Sequence, residues 1–185
     1  PMIGPVSSYC SHEVWPRAGR VLLTFESILA AVAGVAAGLR GDHMAMGRID
    51  ASTAATVLMT YATMAFGFSL AGLTIALTLP DKEFATTLAN DRPRGETDAD
   101  SYSDLLFVFS WTAAAHWLLV VSSILLLVMF DPKNAVLPSD AGTARRLFVG
   151  VTGGLVIYGV CQFLITLITL SQVGRLYISA LRKRT

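Results

Sequence analysis

Two ionisable side chains, Glu26 and His116, lie inside long apolar stretches of this 185-residue chain. A charged side chain at the centre of a bilayer costs about 2.5 to 3.5 kcal/mol on insertion scales, so such residues are first treated as functional. Glu26 has the chemistry of a protonatable carboxylate on an ion or proton path, or at the rim of a pore. A carboxyl group kept neutral by desolvation, or one that reaches the interface near Arg20, is an equally favoured structural alternative.

The imidazole of His116 has the chemistry to bind a metal, a haem or a chlorin, or to relay protons. The favoured alternative is a neutral ring that is hydrogen-bonded to Gln162 or Thr112. A four-helix cytochrome b needs paired histidines within its spans, and this chain has one there, so haem held by this chain alone is not expected. A cofactor shared with another subunit stays open, and the cofactor itself is unknown.

Helix geometry assigns neighbours to both groups. With a rise of about 1.5 Å per residue, Glu26 is expected roughly a third of the way in from the cytoplasmic side, and His116 near the midplane. The candidates for a pore or proton path at the first depth are Glu26, Thr74, Ser110 and Thr166. The midplane polar or cofactor candidates are His116, Gln162 and Tyr158.

Two short clusters resemble metal sites in composition, and neither predicts one. Residues 43–46 read His-Met-Ala-Met, which combines imidazole with soft ligands that suit copper, and residues 10–13 read Cys-Ser-His-Glu. Neither cluster has a second ligand set at a diagnostic spacing. The chain also lacks the GxGxxG, P-loop, HExxH and GxSxG motifs, so nucleotide binding, zinc proteolysis and serine hydrolysis are not supported.

The elements that must position these groups are apolar helices. Hydrophobic residues make up 54% of the chain and charged residues 15%, against about 25% charged in a soluble domain, and the mean hydropathy is +0.59. This composition excludes an ordinary soluble enzyme, a disulfide scaffold and a disordered tail. Because a bilayer core takes about 20 apolar residues of helix, four spans are predicted, at 21–39, 55–79, 105–130 and 147–173.

The predicted fold is all-α, with four transmembrane helices in an up-down antiparallel bundle and both termini in the cytoplasm. The orientation rests on Lys and Arg, of which nine fall on the side of the termini and five on the opposite side. The predicted organisation is a cytoplasmic segment 1–20, a transmembrane domain 21–179 with an acidic cytoplasmic loop 81–104, and a basic tail 180–185. Eleven Arg against three Lys favours a GC-rich bacterial genome, so the expected location is a bacterial cytoplasmic membrane.

Small residues predict how these helices pack. In lipid, helices associate through close packing at small residues and through interhelical hydrogen bonds. Three pairs of small residues recur at a spacing of four: Gly34 with Gly38, Gly67 with Ala71, and Gly150 with Gly154. Packing within one four-helix bundle is the favoured interpretation of these pairs, and a subunit interface is the alternative.

A homo-oligomeric channel or pore-forming transport component is the favoured function. It accounts for the small-residue faces, the sparse intramembrane charge, and the absence of any recognisable catalytic domain. Hydroxyl groups also recur along the second span, at Thr60, Thr63, Ser69, Thr74 and Thr78.

Two other function classes remain open. One is an accessory subunit of a larger respiratory or photosynthetic complex, in which His116 helps to bind a shared cofactor. The other is an intramembrane enzyme that uses Glu26 and His116 as acid and base, which is the least favoured because the two groups lie at different depths. The expected partners are the lipid bilayer and either identical copies or other membrane subunits, while a net charge of +1 indicates no nucleic-acid surface.

Overall fold

The computed structural model describes residues 24–45, 51–78, 86, 101–130 and 142–182. These residues form four helices: α1, Phe25–Ala45; α2, Ala51–Leu77; α3, Ser101–Phe130; and α4, Gly142–Arg182. The described part of the chain contains no strand. The predicted all-helical class is confirmed for these residues.

Three of the helices are long and apolar enough to cross a membrane, over Ser52–Leu77, Tyr102–Val128 and Gly142–Ile178. Their large apolar side chains also point outward, as in a protein that is solvated by lipid. The apolar part of α1, Phe25–Leu39, is shorter. The helices indicate a membrane protein in which three of the four predicted spans are supported, and the first span, at 21–39, stays a prediction.

The helices run past the predicted spans. α3 begins at Ser101 rather than at 105, and α4 extends beyond 147–173 at both ends. At about 1.5 Å per residue, the 41 residues of α4 measure about 60 Å, twice the roughly 30 Å of a hydrocarbon core. Hydropathy marks where apolar sequence stops, whereas the backbone hydrogen bonds of the helix continue into the polar ends.

The helices pack in the order α1, α4, α3, α2, and neighbours in this order are antiparallel. The contacts of α1 are concentrated on α4, those of α2 on α3, and α3 joins α4 along a third seam. The first two helices of the sequence therefore lie at opposite ends of the packing order. Only α3 and α4 have a substantial neighbour on two sides.

The seam between α1 and α4 is a direct approach of two backbones. A Cβ added to Gly34 would lie 2.8 Å from the carbonyl oxygen of Gly150, and one added to Gly150 would lie 2.9 Å from that of Gly34. Gly38 and Gly154 extend the contact by one turn on each side, against the carbonyls of Arg146 and Ala30. Two of the three predicted small-residue pairs thus face each other, where any side chain would push the helices apart.

The seam between α2 and α3 is built around an aromatic ring. The fully buried Phe109 of α3 lies against Gly72 of α2, in contact with the position where a Cβ on this glycine would stand. Ala76 and Leu105 complete the buried cluster, and the Tyr102 hydroxyl donates a 3.2 Å hydrogen bond to the carbonyl of Ala76. A large ring on one helix and a bare backbone on the other fix the register of this pair.

Candidate functional site

His116 is fully buried where α2, α3 and α4 meet. Its Nδ1 lies 2.8 Å from the carbonyl oxygen of Thr112, and its Nε2 lies 3.3 Å from the hydroxyl of Tyr61. Because a carbonyl only accepts hydrogen bonds, Nδ1 carries the proton of the neutral ring, and Nε2 accepts from the Tyr61 hydroxyl. The edges of Tyr61 and Phe163 enclose the ring, with centroids at 5.6 and 6.1 Å.

Both ring nitrogens of His116 are therefore engaged within the chain. A metal or haem iron at Nε2 would have to displace Tyr61, and Leu119 fills the space beside Gly159 on the adjoining side. The bond to Thr112 is one of the two that the sequence suggested, whereas Tyr61 is a partner that it missed. Through these contacts the imidazole of His116 on α3 connects Tyr61 of α2 with Phe163 of α4.

The other two midplane candidates, Gln162 and Tyr158, both lie on α4. Gln162 is buried on α4, and its backbone carbonyl accepts from the hydroxyl of Thr166. The Tyr158 hydroxyl instead accepts a 2.6 Å hydrogen bond from Nε1 of Trp111. Tyr158 and Gln162 are four residues apart and so share one face of α4, and the hydrogen bonds of the His116 ring go to Thr112 and Tyr61 rather than to either of them.

Thr166 connects α4 to α3 one turn away from His116. Its hydroxyl donates to the carbonyl of Gln162 at 2.9 Å and lies 2.8 Å from the hydroxyl of Thr112. A threonine hydroxyl has one proton, so Thr112 is the donor across the seam. Both side chains are fully buried, and together with His116 they form a polar core where three helices meet.

Glu26 lies in the first turn of α1 and is half-buried. Gly154 of α4 lies against Ala30 of α1, and four residues further along each antiparallel helix Glu26 is level with Tyr158. Tyr158 lies near the middle of the apolar stretch of α4, so the glycine contacts place Glu26 level with the middle of that stretch.

The residues predicted to share a pore or proton path with Glu26 lie on different helices and differ in exposure. Thr74 is exposed on α2, and its hydroxyl donates to the carbonyl of Leu70 at 2.9 Å. Ser110 is half-buried on α3, while the Thr166 hydroxyl is committed to the seam between α3 and α4. No hydrogen bond or ion pair joins Glu26 to another residue of the described ranges.

A row of small and hydroxyl-bearing residues runs along the outer face of α2, and we name it the α2 stripe. Its members recur every three or four residues and are all exposed: Thr56, Thr60, Thr63, Gly67, Ala71, Thr74 and Thr78. At about 100° per residue they share one narrow face of the helix. The buried residues of α2, among them Ala62, Ser69 and Ala76, lie on the opposite face toward α3.

The α2 stripe unites two features that the sequence presented separately. The Gly67–Ala71 pair and the hydroxyls of the second span fall on one face, except for Ser69, which is buried and donates to the carbonyl of Ala65. A Cβ on Gly67 would meet no atom of the described chain within 4 Å. This pair therefore does not pack against another described helix, unlike the two glycine pairs of α1 and α4.

Four of the five hydroxyls of the α2 stripe are hydrogen-bonded to their own helix. They donate to the carbonyl four residues earlier, at 2.8 to 2.9 Å: Thr56, Thr60, Thr74 and Thr78. This local bond lowers the free-energy cost of placing a hydroxyl at membrane depth. Because threonine has two accessible χ1 rotamers in a helix, the same hydroxyl can also turn toward a partner outside.

No group of three His, Cys, Asp or Glu side chains within the described ranges is placed to hold a metal ion. Cys161 is a half-buried free thiol on α4. The cluster at 10–13, the side chains at 43–46, the segment 1–20 and most of the loop 81–104 lie outside the described residues, as does most of the tail.

No family model, no curated protein and no solved structure matches this chain. Its function must be argued from the geometry above. The described residues offer a buried polar core at His116, a carboxyl group level with the middle of α4, and an outward-facing stripe on α2.

Proposed function

We propose that this chain is a multi-pass protein of the bacterial cytoplasmic membrane that assembles with copies of itself into a channel or transport pore. In this proposal all four helices cross the membrane, both termini are cytoplasmic, and α2 of each copy turns its stripe toward a shared axis. The α2 stripe carries the proposal, because it is the one long face that combines exposure, small side chains and regularly spaced hydroxyls.

Small residues on the stripe favour close approach of identical helices. Gly67 and Ala71 leave a shallow surface in the middle of α2, and nothing within the described chain covers it. Small-xxx-small surfaces are typical of helix contacts in membranes, where packing rather than hydrophobicity drives association. A symmetric assembly would bring the same surface of several copies together.

The hydroxyls of the α2 stripe supply oxygen atoms that can contact an ion along the proposed pore. Threonine oxygens that turn away from their own backbone carbonyls can replace part of the hydration shell of an ion. Thr56 and Thr78 lie 22 residues apart, which is about 33 Å along the helix and matches the roughly 30 Å of a hydrocarbon core. The stripe is therefore long enough to line a complete crossing.

The proposal assigns the path to α2 and leaves Glu26 outside it. Glu26 is on α1, at the other end of the packing order from α2. The cofactor-binding subunit is the weaker alternative, because both nitrogens of His116 already have partners within the chain. An acid and base pair of Glu26 and His116 has no supporting contact among the described residues.

Ion flux into liposomes that contain the purified protein tests the proposal. The double variant Thr63→Val with Thr74→Val removes two stripe hydroxyls at nearly constant volume and should lower flux several-fold. The matched control, Met64→Leu with Ile75→Leu, changes the adjacent exposed residues off the stripe and should leave flux unchanged. Glu26→Gln should also leave it unchanged.

Two results would refute the proposal. One is equal flux from the stripe variant and the wild-type protein, and the other is a wild-type protein that transports no ion at any membrane potential. Native mass spectrometry in mild detergent separates the remaining functions, since a ring of identical chains supports the pore. A mixed complex or an absorbing cofactor lost in His116→Ala would support the accessory subunit.

A further inference from the structure

A groove of about 850 Å³ runs along α4 between α1 and α3. Small and aliphatic side chains line most of it, including Ala31, Val35, Ala114, Leu118 and Val151. From Arg146 to Tyr158 the groove follows α4 for about 18 Å, which is close to the roughly 15 Å thickness of one leaflet. Its length and lining are those of a site for an extended hydrocarbon chain.

The two ends of the groove differ in chemistry. The inner end is bordered by Trp111 and Tyr158, whose 2.6 Å hydrogen bond ties α3 to α4. The outer end lies at the N-terminal turns of α4, where Thr143 and Arg146 line it. A helix N-terminus carries a partial positive charge and backbone N–H groups without intrahelical acceptors, and a guanidinium matches the geometry of a phosphate.

We infer that this groove binds one glycerophospholipid, with its phosphate at Arg146 and Thr143 and an acyl chain extending to Trp111 and Tyr158. An arginine at one end of an otherwise apolar groove fits a lipid, which joins one anionic phosphate to long hydrocarbon chains.

Native mass spectrometry of the full chain with added phosphatidylglycerol tests the lipid site. The wild-type protein should retain one lipid per chain after detergent is removed. Arg146→Gln should weaken retention about tenfold, because it removes a charge-assisted hydrogen bond to phosphate. Diacylglycerol with the same acyl chains lacks the phosphate and should be retained about as weakly as phosphatidylglycerol is by this variant.

A pair of alanine variants tests the position of the acyl chain. Ala31 and Ala36 are both exposed on α1, and only Ala31 lines the groove. Ala31→Phe should abolish retention of the lipid, while the matched control Ala36→Phe should retain it as the wild type does. Ala114→Phe, which narrows the groove from α3, provides a second obstruction should the first variant unfold.

Equal retention by Ala31→Phe, Ala114→Phe and Ala36→Phe would overturn the inference, since lipid would then bind elsewhere on the surface. Retention of diacylglycerol as strong as that of phosphatidylglycerol would remove the role of Arg146. A second copy or another protein that holds its place against excess phosphatidylglycerol, and is released by Ala31→Phe, would assign the groove to a helix instead.

Discussion

The carbonyl oxygen of Gly150 lies 2.8 Å from the point where a Cβ on Gly34 would stand. Real Cβ atoms essentially never come this close to a neighbour, so α1 and α4 meet backbone to backbone and leave no room for a methyl group. The same relation holds in reverse, from Gly150 toward the carbonyl of Gly34. This contact accounts for the position of α1 on α4.

Adding a single methyl group at this contact should separate α1 from α4. Gly34→Ala is expected to destabilise the fold by about 1 to 3 kcal/mol, the usual cost of overpacking. The control Gly67→Ala adds the same methyl where nothing lies within 4 Å, and should be neutral or stabilising by up to about 1 kcal/mol because glycine is a poor helix former. Unfolding in mixed micelles measures both, and equal stabilities would contradict the described contact.

The hydroxyl bond between α3 and α4 should contribute measurable stability. Thr166→Val removes the acceptor of Thr112 in a fully buried position, and we expect a loss of about 0.5 to 1.5 kcal/mol. Thr169→Val is the matched control, since the Thr169 hydroxyl donates only to the carbonyl of Ile165 in its own helix. A cost from Thr169→Val as large as that from Thr166→Val would show that the interhelical bond adds nothing.

Identical positions on the α2 stripe should be close in the proposed oligomer. With Cys10 and Cys161 replaced by alanine, Thr63→Cys is expected to form disulfide-linked dimers in membranes under mild oxidation. Met64→Cys places a thiol one residue away, about 100° around the helix, and should form far fewer. Gel electrophoresis without reductant gives the yields, and comparable yields from the two positions would argue against an axis that faces the stripe.

The depth of Glu26 predicts which reagents reach it. A lipid-soluble carbodiimide should modify Glu26, because the glycine contacts place this residue level with Tyr158, near the middle of the apolar stretch of α4. A water-soluble carbodiimide should prefer Asp104, in the first turn of α3 at the end of an apolar helix. Mass spectrometry of the proteolytic peptides locates each adduct, and modification of Glu26 by the water-soluble reagent alone would place it at the membrane surface.

The helices themselves follow from the sequence, because long apolar segments must satisfy their backbone hydrogen bonds internally. Hydropathy does not record rotation about the helix axis. Depth along the helix predicts Gln162 as a neighbour of His116, whereas the side chain bonded to Nε2 is Tyr61 of α2.

The spacing of glycines predicted which faces pack closely but not which helices they meet. Gly34 and Gly150 belong to faces that pack together, while Gly67, with the same local pattern, points away from the described chain. The start of the first apolar run, together with the rise per residue, predicts the depth of Glu26 in the membrane. The position of Glu26 along α4 follows instead from the contact between Gly34 and Gly150. This contact joins residues far apart in the sequence, so no local pattern predicts it.

The partner of α1 is the last of the four described helices to be made. Gly34 meets Gly150, which is 116 residues later in the chain, so at about 5 to 20 residues per second the ribosome needs roughly 6 to 23 s to produce it. During that interval α2 and α3 are able to close as a hairpin, whereas α1 has not yet met the helix that it packs against. During biogenesis there is therefore a stage at which the face of α1 that later packs on α4 is uncovered, and an insertase or chaperone would protect it then. A chain truncated before α4 keeps this face uncovered and should be degraded.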